Sequence, residues 1–400
     1  AFREGLERLE CALLAGRLDI VHQEEVDQPT GCEALWVVRG DGRAVKELCV
    51  ELEDRDALGR LFDLDVLDPA SGKWDRTQLG QPPRKCLVCG KEGKGCASRR
   101  LHTVEELQSA TQAILEDYFA KKDQQTLGAL AAKALLYEVC TTPKPGLVDR
   151  KNNGSHRDMD VFTFLDSTAA LLPYFEEAVR LGIETRNLPP QETFRRLRQA
   201  GAAGERAMFR ATGGVNTHKG AVFTLGTVCA AAGRLWTAEG FSKDLDAALA
   251  LCGEMSAQAV QEDFEAIRRE GAHTTGQRIY LEHGLEGIRG ELSRGLPAVA
   301  QIGLPTLRRC LEAGDSMEQA GVQVLLALMA QVVDTNLIAR GGLEGQQWAM
   351  EQAKNLTQDR AVSQEEAEKL DRALIERNLS PGGCADLLAI TYFLEFLSRM

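Results

Sequence analysis

The rhythm of apolar positions changes along the chain. From Phe2 to Leu14 they fall at helical spacing. Ala34 to Val38 is a β-rich run, and Leu48, Val50 and Leu52 alternate with Cys49, Glu51 and Glu53, the period of two of a half-buried strand. Gly59 to Leu67 holds a second alternating segment, and residues 69–85, with Pro69, Gly72, Gly80, Pro82 and Pro83, read as loop. Val104 to Phe119 returns to helix, with Thr103 as N-cap and Glu106 three residues on. The polar stretch Lys121 to Gln125 is the candidate boundary. After it alternation almost disappears, and alanine- and leucine-rich segments of helical length cover 126–140, 160–181, 191–210, 217–236, 243–264, 315–333, 344–355, 364–376 and 384–399. The pattern predicts an α+β N-terminal domain, a small sheet plus helices, over residues 1–120, and an all-α C-terminal domain over 127–400.

Composition narrows the classes. The 400 residues exceed the usual single-domain size. With 47 basic and 59 acidic residues the net charge is −12, which argues against a nucleic-acid partner. No apolar run reaches the ~18 residues of a membrane span. The 11 cysteines are scattered and odd in number, which fits a reducing, cytoplasmic compartment rather than a disulfide scaffold.

Two clusters of the N-terminal part carry candidate chemistry. Cys86, Cys89, Cys96 and His102 follow the Pro-rich loop at spacings that suit a tetrahedral structural zinc; the alternative is three reduced cysteines beside a turn. Asp63 and Asp65, two apart on an expected strand, would point the same way, as would Glu51 and Glu53. Such a pair either holds magnesium, with Arg55 and Arg60 near phosphate, or is the solvated face of an edge strand.

Four junctions stand out in the helical part. Thr142 to Asp160 (TPKPGLVDRKNNGSHRDMD) packs Lys144, Asp149, Asn153, Ser155, His156, Asp158 and Asp160 ahead of a long apolar helix, too many polar groups for capping alone. Ala211 to Gly220 (ATGGVNTHKG) combines Gly213, Gly214, Asn216, His218 and Lys219 at a helix start, either an anion site or a glycine-bearing turn. Val333 to Gly342 adds Asp334, Asn336 and Arg340. Leu379 to Leu387 (LSPGGCADL) offers Ser380 as N-cap, Gly382, Gly383 and Asp386, a second anion site or a well-made helix start. The glycine-spaced stretch Gly284 to Gly295 reads as close helix packing.

These motifs, together with GIRGELSRG and in this order over about residues 127–400, closely resemble the triphosphoribosyl-dephospho-CoA synthase of the citrate lyase system. The first part, with ELEDRDALGRLFDLDVLD, PPRKCLVCG and CASRRLH, resembles the citrate lyase holo-acyl-carrier-protein synthase, a phosphoribosyl-dephospho-CoA transferase. The resemblance implies a bifunctional transferase with ATP, 3′-dephospho-CoA and the citrate lyase acyl carrier protein as partners, and magnesium expected with ATP. It also implies a strand-and-helix segment ahead of Ala1, which would leave the transferase half incomplete.

In the implied synthase reaction, the 2′-hydroxyl of 3′-dephospho-CoA attacks the anomeric carbon of the ATP ribose and adenine leaves. Asp158 and Asp160 with Asp334 would supply base or metal ligation, and His156 or His218 the acid. Lys144, Lys219, Gly213, Gly214, Gly382 and Gly383 would hold phosphates, with Asn153, Asn216, Asn336, Arg340 and Asp386 binding substrate. The transferase half would move the phosphoribosyl-dephospho-CoA group to a carrier-protein serine and release pyrophosphate, with Asp63 and Asp65 on magnesium. Competing readings are the related malonate decarboxylase synthase and an all-α, metal-dependent nucleotide-ribose hydrolase.

Overall fold

The computed structural model describes residues 1–28, 31–358 and 361–400. The chain divides into two compact units, Ala1–Ala120 and Lys121–Met400.

In the first unit, helix α1 (Phe2–Ala15) precedes an antiparallel pair, β1 (Asp19–Gln28) and β2 (Gly31–Arg39), then helix α2 (Gly42–Asp54). A second small pair, β3 (Val66–Asp68) and β4 (Gly72–Trp74), lies within 59–85 beside two 3₁₀ turns, and helix α3 (Gly93–Arg99) follows. The strand expected at 48–52 is therefore helix. Its Asp41 N-cap accepts from the Arg43 N–H, and its inward stripe is Lys46, Cys49, Val50 and Glu53. Two charged residues in that stripe hide the helical period from a count of apolar positions. They are satisfied by one residue: Lys46 Nζ donates to the Leu64 carbonyl (2.6 Å) and Glu53 Oε1 accepts from the Leu64 N–H (2.9 Å). Both backbone groups of Leu64 are thus taken, and residues 62–65 form a loop rather than the expected strand.

Helix α4 (Val104–Cys140) starts with the expected Thr103–Glu106 capping box and continues through Lys121–Gln125, so the polar stretch is not a break in the helix. The second unit is all helix. Helix α5 (Val161–Glu184) packs on α6 (Pro190–Ala211) and α7 (Lys219–Arg234), and α8 (Leu245–Glu270) packs on α6 and α7. Then come α9 (Thr275–His283), α10 (Gly287–Ser293), a π-helical turn (Val299–Gly303), α11 (Leu304–Glu312), α12 (Met317–Met329), α13 (Thr335–Thr357), α14 (Gln364–Glu376) and α15 (Gly382–Ser398). The elements from Thr275 to Glu312 were not expected. They are short, and Gly284, Gly287 and Gly295 at positive φ interrupt their periodicity. Helix α15 is buried on all sides from Leu387 to Leu397, against α7, α11, α12 and α13, which makes it the centre of this unit. Among the described residues no helix is long and apolar enough to cross a membrane.

Candidate active site

A cavity of about 1010 Å³ opens in the helical unit. The starts of α7, α9, α13 and α15 all reach its wall, through Lys219 and Gly220, Thr275 and Gly276, Thr335 and Asn336, and Gly382 and Gly383. The first turn of a helix leaves N–H groups without intrahelical partners and carries the positive end of the dipole. Four such ends on one cavity make an anion-attracting site inside an acidic protein.

Asp334 joins two of them. Its Oδ1 accepts from the Asn336 N–H (2.8 Å), capping α13, and its Oδ2 accepts from the Cys384 N–H (2.9 Å) in the first turn of α15. Pro381 holds the N-cap position of α15, without a side-chain bond, so Ser380 is not the expected cap. Instead Ser380 Oγ lies 2.9 Å from His156 Nε2. On the other side of the ring, Arg340 Nη2 lies 3.2 Å from His156 Nδ1. A guanidinium only donates, so Nδ1 accepts, and the ring is neutral with its proton on Nε2, given to Ser380. Desolvation and the Arg340 charge hold His156 down at about 4. Arg340 also donates to the Ser155 carbonyl (2.7 Å) and to Asn378 Oδ1 (3.0 Å), and among the described residues it has no carboxylate within ion-pair distance.

His218 is almost fully enclosed. Thr217 Oγ1 donates to Ser167 Oγ (2.7 Å), and Ser167 Oγ lies 2.7 Å from His218 Nδ1. With Ser167 passing its proton to Nδ1, His218 carries its own on Nε2, a buried atom that has no hydrogen-bond partner on a residue lining the cavity. Burial pushes His218 down to about 3, so the group is a neutral donor rather than an imidazolium.

Five carboxyl groups line the cavity, and three of them are shifted: Glu138, Asp334 and Asp386. Burial raises all three above the ordinary carboxylate range. Glu138 is paired with Lys144, whose Nζ also donates to the Glu138 carbonyl (3.1 Å). Both oxygens of Asp334 are used at helix starts. Asp386 lies against the start of α7, and Glu138 and Asp334 add to burial in raising it. Gly220 is needed for this approach: a Cβ there would sit 1.8 Å from Asp386 Oδ2.

The structure thus brings together His156, His218, Asp334, Lys144, Asn216, Lys219, Asn336, Arg340, Gly382, Gly383 and Asp386. It does not bring in the others. Asp160 caps α5, accepting from the Thr163 N–H (2.9 Å) and hydroxyl (2.8 Å). Asp158 and Asn153 are exposed outside the cavity wall. Gly213 and Gly214, both at positive φ, end α6, and the Gly214 N–H is spent on the Phe209 carbonyl (2.7 Å) instead of a ligand. Lys144 is committed to Glu138, and Lys219 pairs with Glu205 (3.2 Å). Glu138, Ser167 and Thr217 were missed. A lone acid in the apolar run LLYEVC was the one local signal for Glu138, whereas Ser167 and Thr217 acquire meaning only through His218.

In the first unit, Asp63 and Asp65 flank the anchored Leu64. Asp63 lies 3.4 Å from Arg84, and Asp65 is paired with Lys73 at 2.6 Å. Glu51 is exposed while Glu53 is buried, so they do not share a face. Cys86, Cys89, Cys96 and His102 do converge, with ligand atoms within 4.8 Å of one another.

Residues 124–400 match the family described as ATP:dephospho-CoA triphosphoribosyl transferase, CitG. Residues 1–118 match apo-citrate lyase phosphoribosyl-dephospho-CoA transferase, CitX. The chain is similar to the protein CitXG of Haemophilus influenzae, with 37% identity over 99% of this chain and 86% of that protein. The protein CitXG of Leuconostoc mesenteroides subsp. cremoris is 36% identical over 93% of this chain and 82% of that protein. The 2-(5''-triphosphoribosyl)-3'-dephosphocoenzyme-A synthase of Pectobacterium atrosepticum is 41% identical over 72% of this chain and 94% of that protein. With both patterns matched in tandem and fused relatives aligned along nearly its whole length, the chain belongs to the CitXG family of transferases, a CitX part followed by a CitG part.

Proposed function

We propose that the cavity of the helical unit joins ATP to 3′-dephospho-CoA with loss of adenine, and that the first unit passes the resulting phosphoribosyl-dephospho-CoA group to a serine of the citrate lyase acyl carrier protein, releasing pyrophosphate. The observation that carries the first half is the meeting of four helix starts and Arg340, which makes no ion pair among the described residues, with Asp386 and the unpartnered His218 Nε2. The triphosphate lies against Arg340 and the openings of α13 and α15. Asp386, made more basic by burial, takes the proton of the 2′-hydroxyl as that oxygen bonds to the anomeric carbon. The bond from that carbon to adenine breaks, and its electron pair leaves with the base, to which His218 Nε2–H donates a hydrogen bond. The sugar carries oxocarbenium-like positive charge at this point, and the neighbouring Glu138 and Asp334 favour it.

Magnesium bound with ATP supplies charge neutralisation at the phosphates. Asp334 and Asp386 offer the hard oxygen donors it prefers. Asp63 and Asp65 are each engaged by a cation and do not fit a ready magnesium site, so no step of the transfer is assigned to them. All eleven cysteines are free, in keeping with a cytoplasmic location.

The test is product analysis. With ATP, magnesium and 3′-dephospho-CoA the protein should release adenine in step with a triphosphoribosyl-dephospho-CoA product. Adenine and free ribose triphosphate formed without dephospho-CoA would mark a hydrolase instead.

A further inference from the structure

Residues 84–103 have little to hold them together. In this stretch the buried apolar side chains are two cysteines, Cys86 and Cys96. The chain nevertheless adopts a defined path. Lys85 and Glu92 form an antiparallel bridge, Cys86 N–H donates to the Lys91 carbonyl (2.6 Å), and Gly90 N–H donates to the Cys86 carbonyl (3.1 Å). Gly90 follows Cys89 with φ of 69°, the left-handed turn that lets the chain reverse. Helix α3 brings Cys96 against Cys89, with the two sulfurs 3.4 Å apart, too far for a disulfide bond of ~2.05 Å.

His102 closes the group. Its Nδ1 lies 3.7 Å from the Glu106 carboxylate in the first turn of α4. Its Nε2 is buried without any hydrogen-bond partner, which is costly for a ring nitrogen unless something else occupies it. A carboxylate behind one ring nitrogen and a metal on the other is the usual arrangement of a ligating histidine.

We infer that Cys86, Cys89, Cys96 and His102 bind one zinc ion in a closed, tetrahedral structural site that replaces the missing apolar core of residues 84–103. Four ligand atoms within 4.8 Å of one another match a single ion. Three sulfurs and one imidazole are the donors that zinc favours, and no fourth position is left open for chemistry. The site therefore orders the segment between the Arg84 loop and α4 and takes no direct part in transfer.

The experiment is metal analysis of the full chain, purified without added metal and freed of loosely bound ions. About one zinc per chain is expected, and less than about a tenth would overturn the inference. Cys89→Ser should reduce zinc by at least about tenfold, while Cys49→Ser, outside the cluster, should leave it unchanged. Since Cys89→Ser can fail by not folding, His102→Cys serves as the second variant, because a four-cysteine set still holds zinc. Cobalt(II) exchanged into the wild type should show the intense ligand-field bands of tetrahedral thiolate coordination, and His102→Cys should shift them without loss. Weak octahedral bands, or a Cys89–Cys96 disulfide in protein isolated under reducing conditions, would contradict the assignment.

Discussion

Lys144 Nζ donates to Glu138 Oε1 across 2.5 Å, with both side chains buried at the wall of the cavity. A buried pair of this kind costs desolvation to form, but removing one partner leaves the other charge stranded. Lys144→Met should therefore destabilise the helical unit by about 3–5 kcal/mol. The double variant with Glu138→Leu should recover most of that loss. Chemical unfolding of the four proteins of the cycle measures it, and a double variant as unstable as the sum of the singles would show that the two residues act separately.

The two cavity histidines make stability depend on pH. His156 and His218 sit at about 4 and about 3, below the 6.5 of an unperturbed imidazole. The folded state therefore binds fewer protons than the unfolded chain between these values, and stability falls as pH drops below 6.5. Asp334 and Asp386, raised by burial, act in the opposite sense: the folded chain keeps protons that the unfolded one gives up, so their contribution declines as pH rises out of the ordinary carboxylate range. Replacing the fully enclosed imidazole, His218→Gln, should flatten the loss of stability between pH 6.5 and about 3. Unfolding midpoints at a series of pH values check this, with an unchanged slope as the opposing result.

Arg340 holds His156 at the cavity wall and makes no ion pair among the described residues, with the Asp158 carboxylate the acid whose charge reaches it. Arg340→Met should raise the KM for ATP and lower kcat/KM by about 10- to 100-fold, the worth of one charge-assisted phosphate contact. Arg340→Lys should keep part of the charge effect but lose the planar contact with His156. Steady-state kinetics at varied ATP separate the two; equal KM values for wild type and Arg340→Met would remove Arg340 from phosphate binding.

Asp160 makes the opposite case. Its carboxylate is spent on the Thr163 N–H and hydroxyl at the start of α5. Asp160→Ala should cost about 1 kcal/mol of stability, the usual loss on removing an N-cap. The rate of adenine release should stay close to that of the wild type.

The contrast between Asp160 and Asp386 shows how far the chain could be read before its fold was known. Long helices, α5 to α8 and α12 to α15, are visible as patterns because most bury one broad face and α15 is an unbroken apolar run of helical length. Helix α2 is not, because Lys46 and Glu53 lie on its buried face, and the short helices from Thr275 to Glu312 are too brief to show a period. The junctions that carry function were visible as dense polar and glycine residues. Which of them cap and which face the cavity was not, since Asp160 and Asp386 are both single acids at the opening of a long apolar helix. That distinction arises only when α7, α13 and α15 meet. The loop holding Asp63 and Asp65 read as a strand for a related reason: its path is set by Leu64 bonding to α2, a contact between residues distant in sequence.

The proposed synthase reaction depends on Asp386 as its base, in a cavity that gathers helix starts for nucleotide phosphates. Adenine release from ATP in the presence of 3′-dephospho-CoA, compared between wild type and Asp386→Asn, tests it most directly. Asp386→Asn should stay folded, bind ATP and release adenine about 100-fold or more slowly, the scale of losing a general base. Release by Asp386→Asn at the wild-type rate would contradict it.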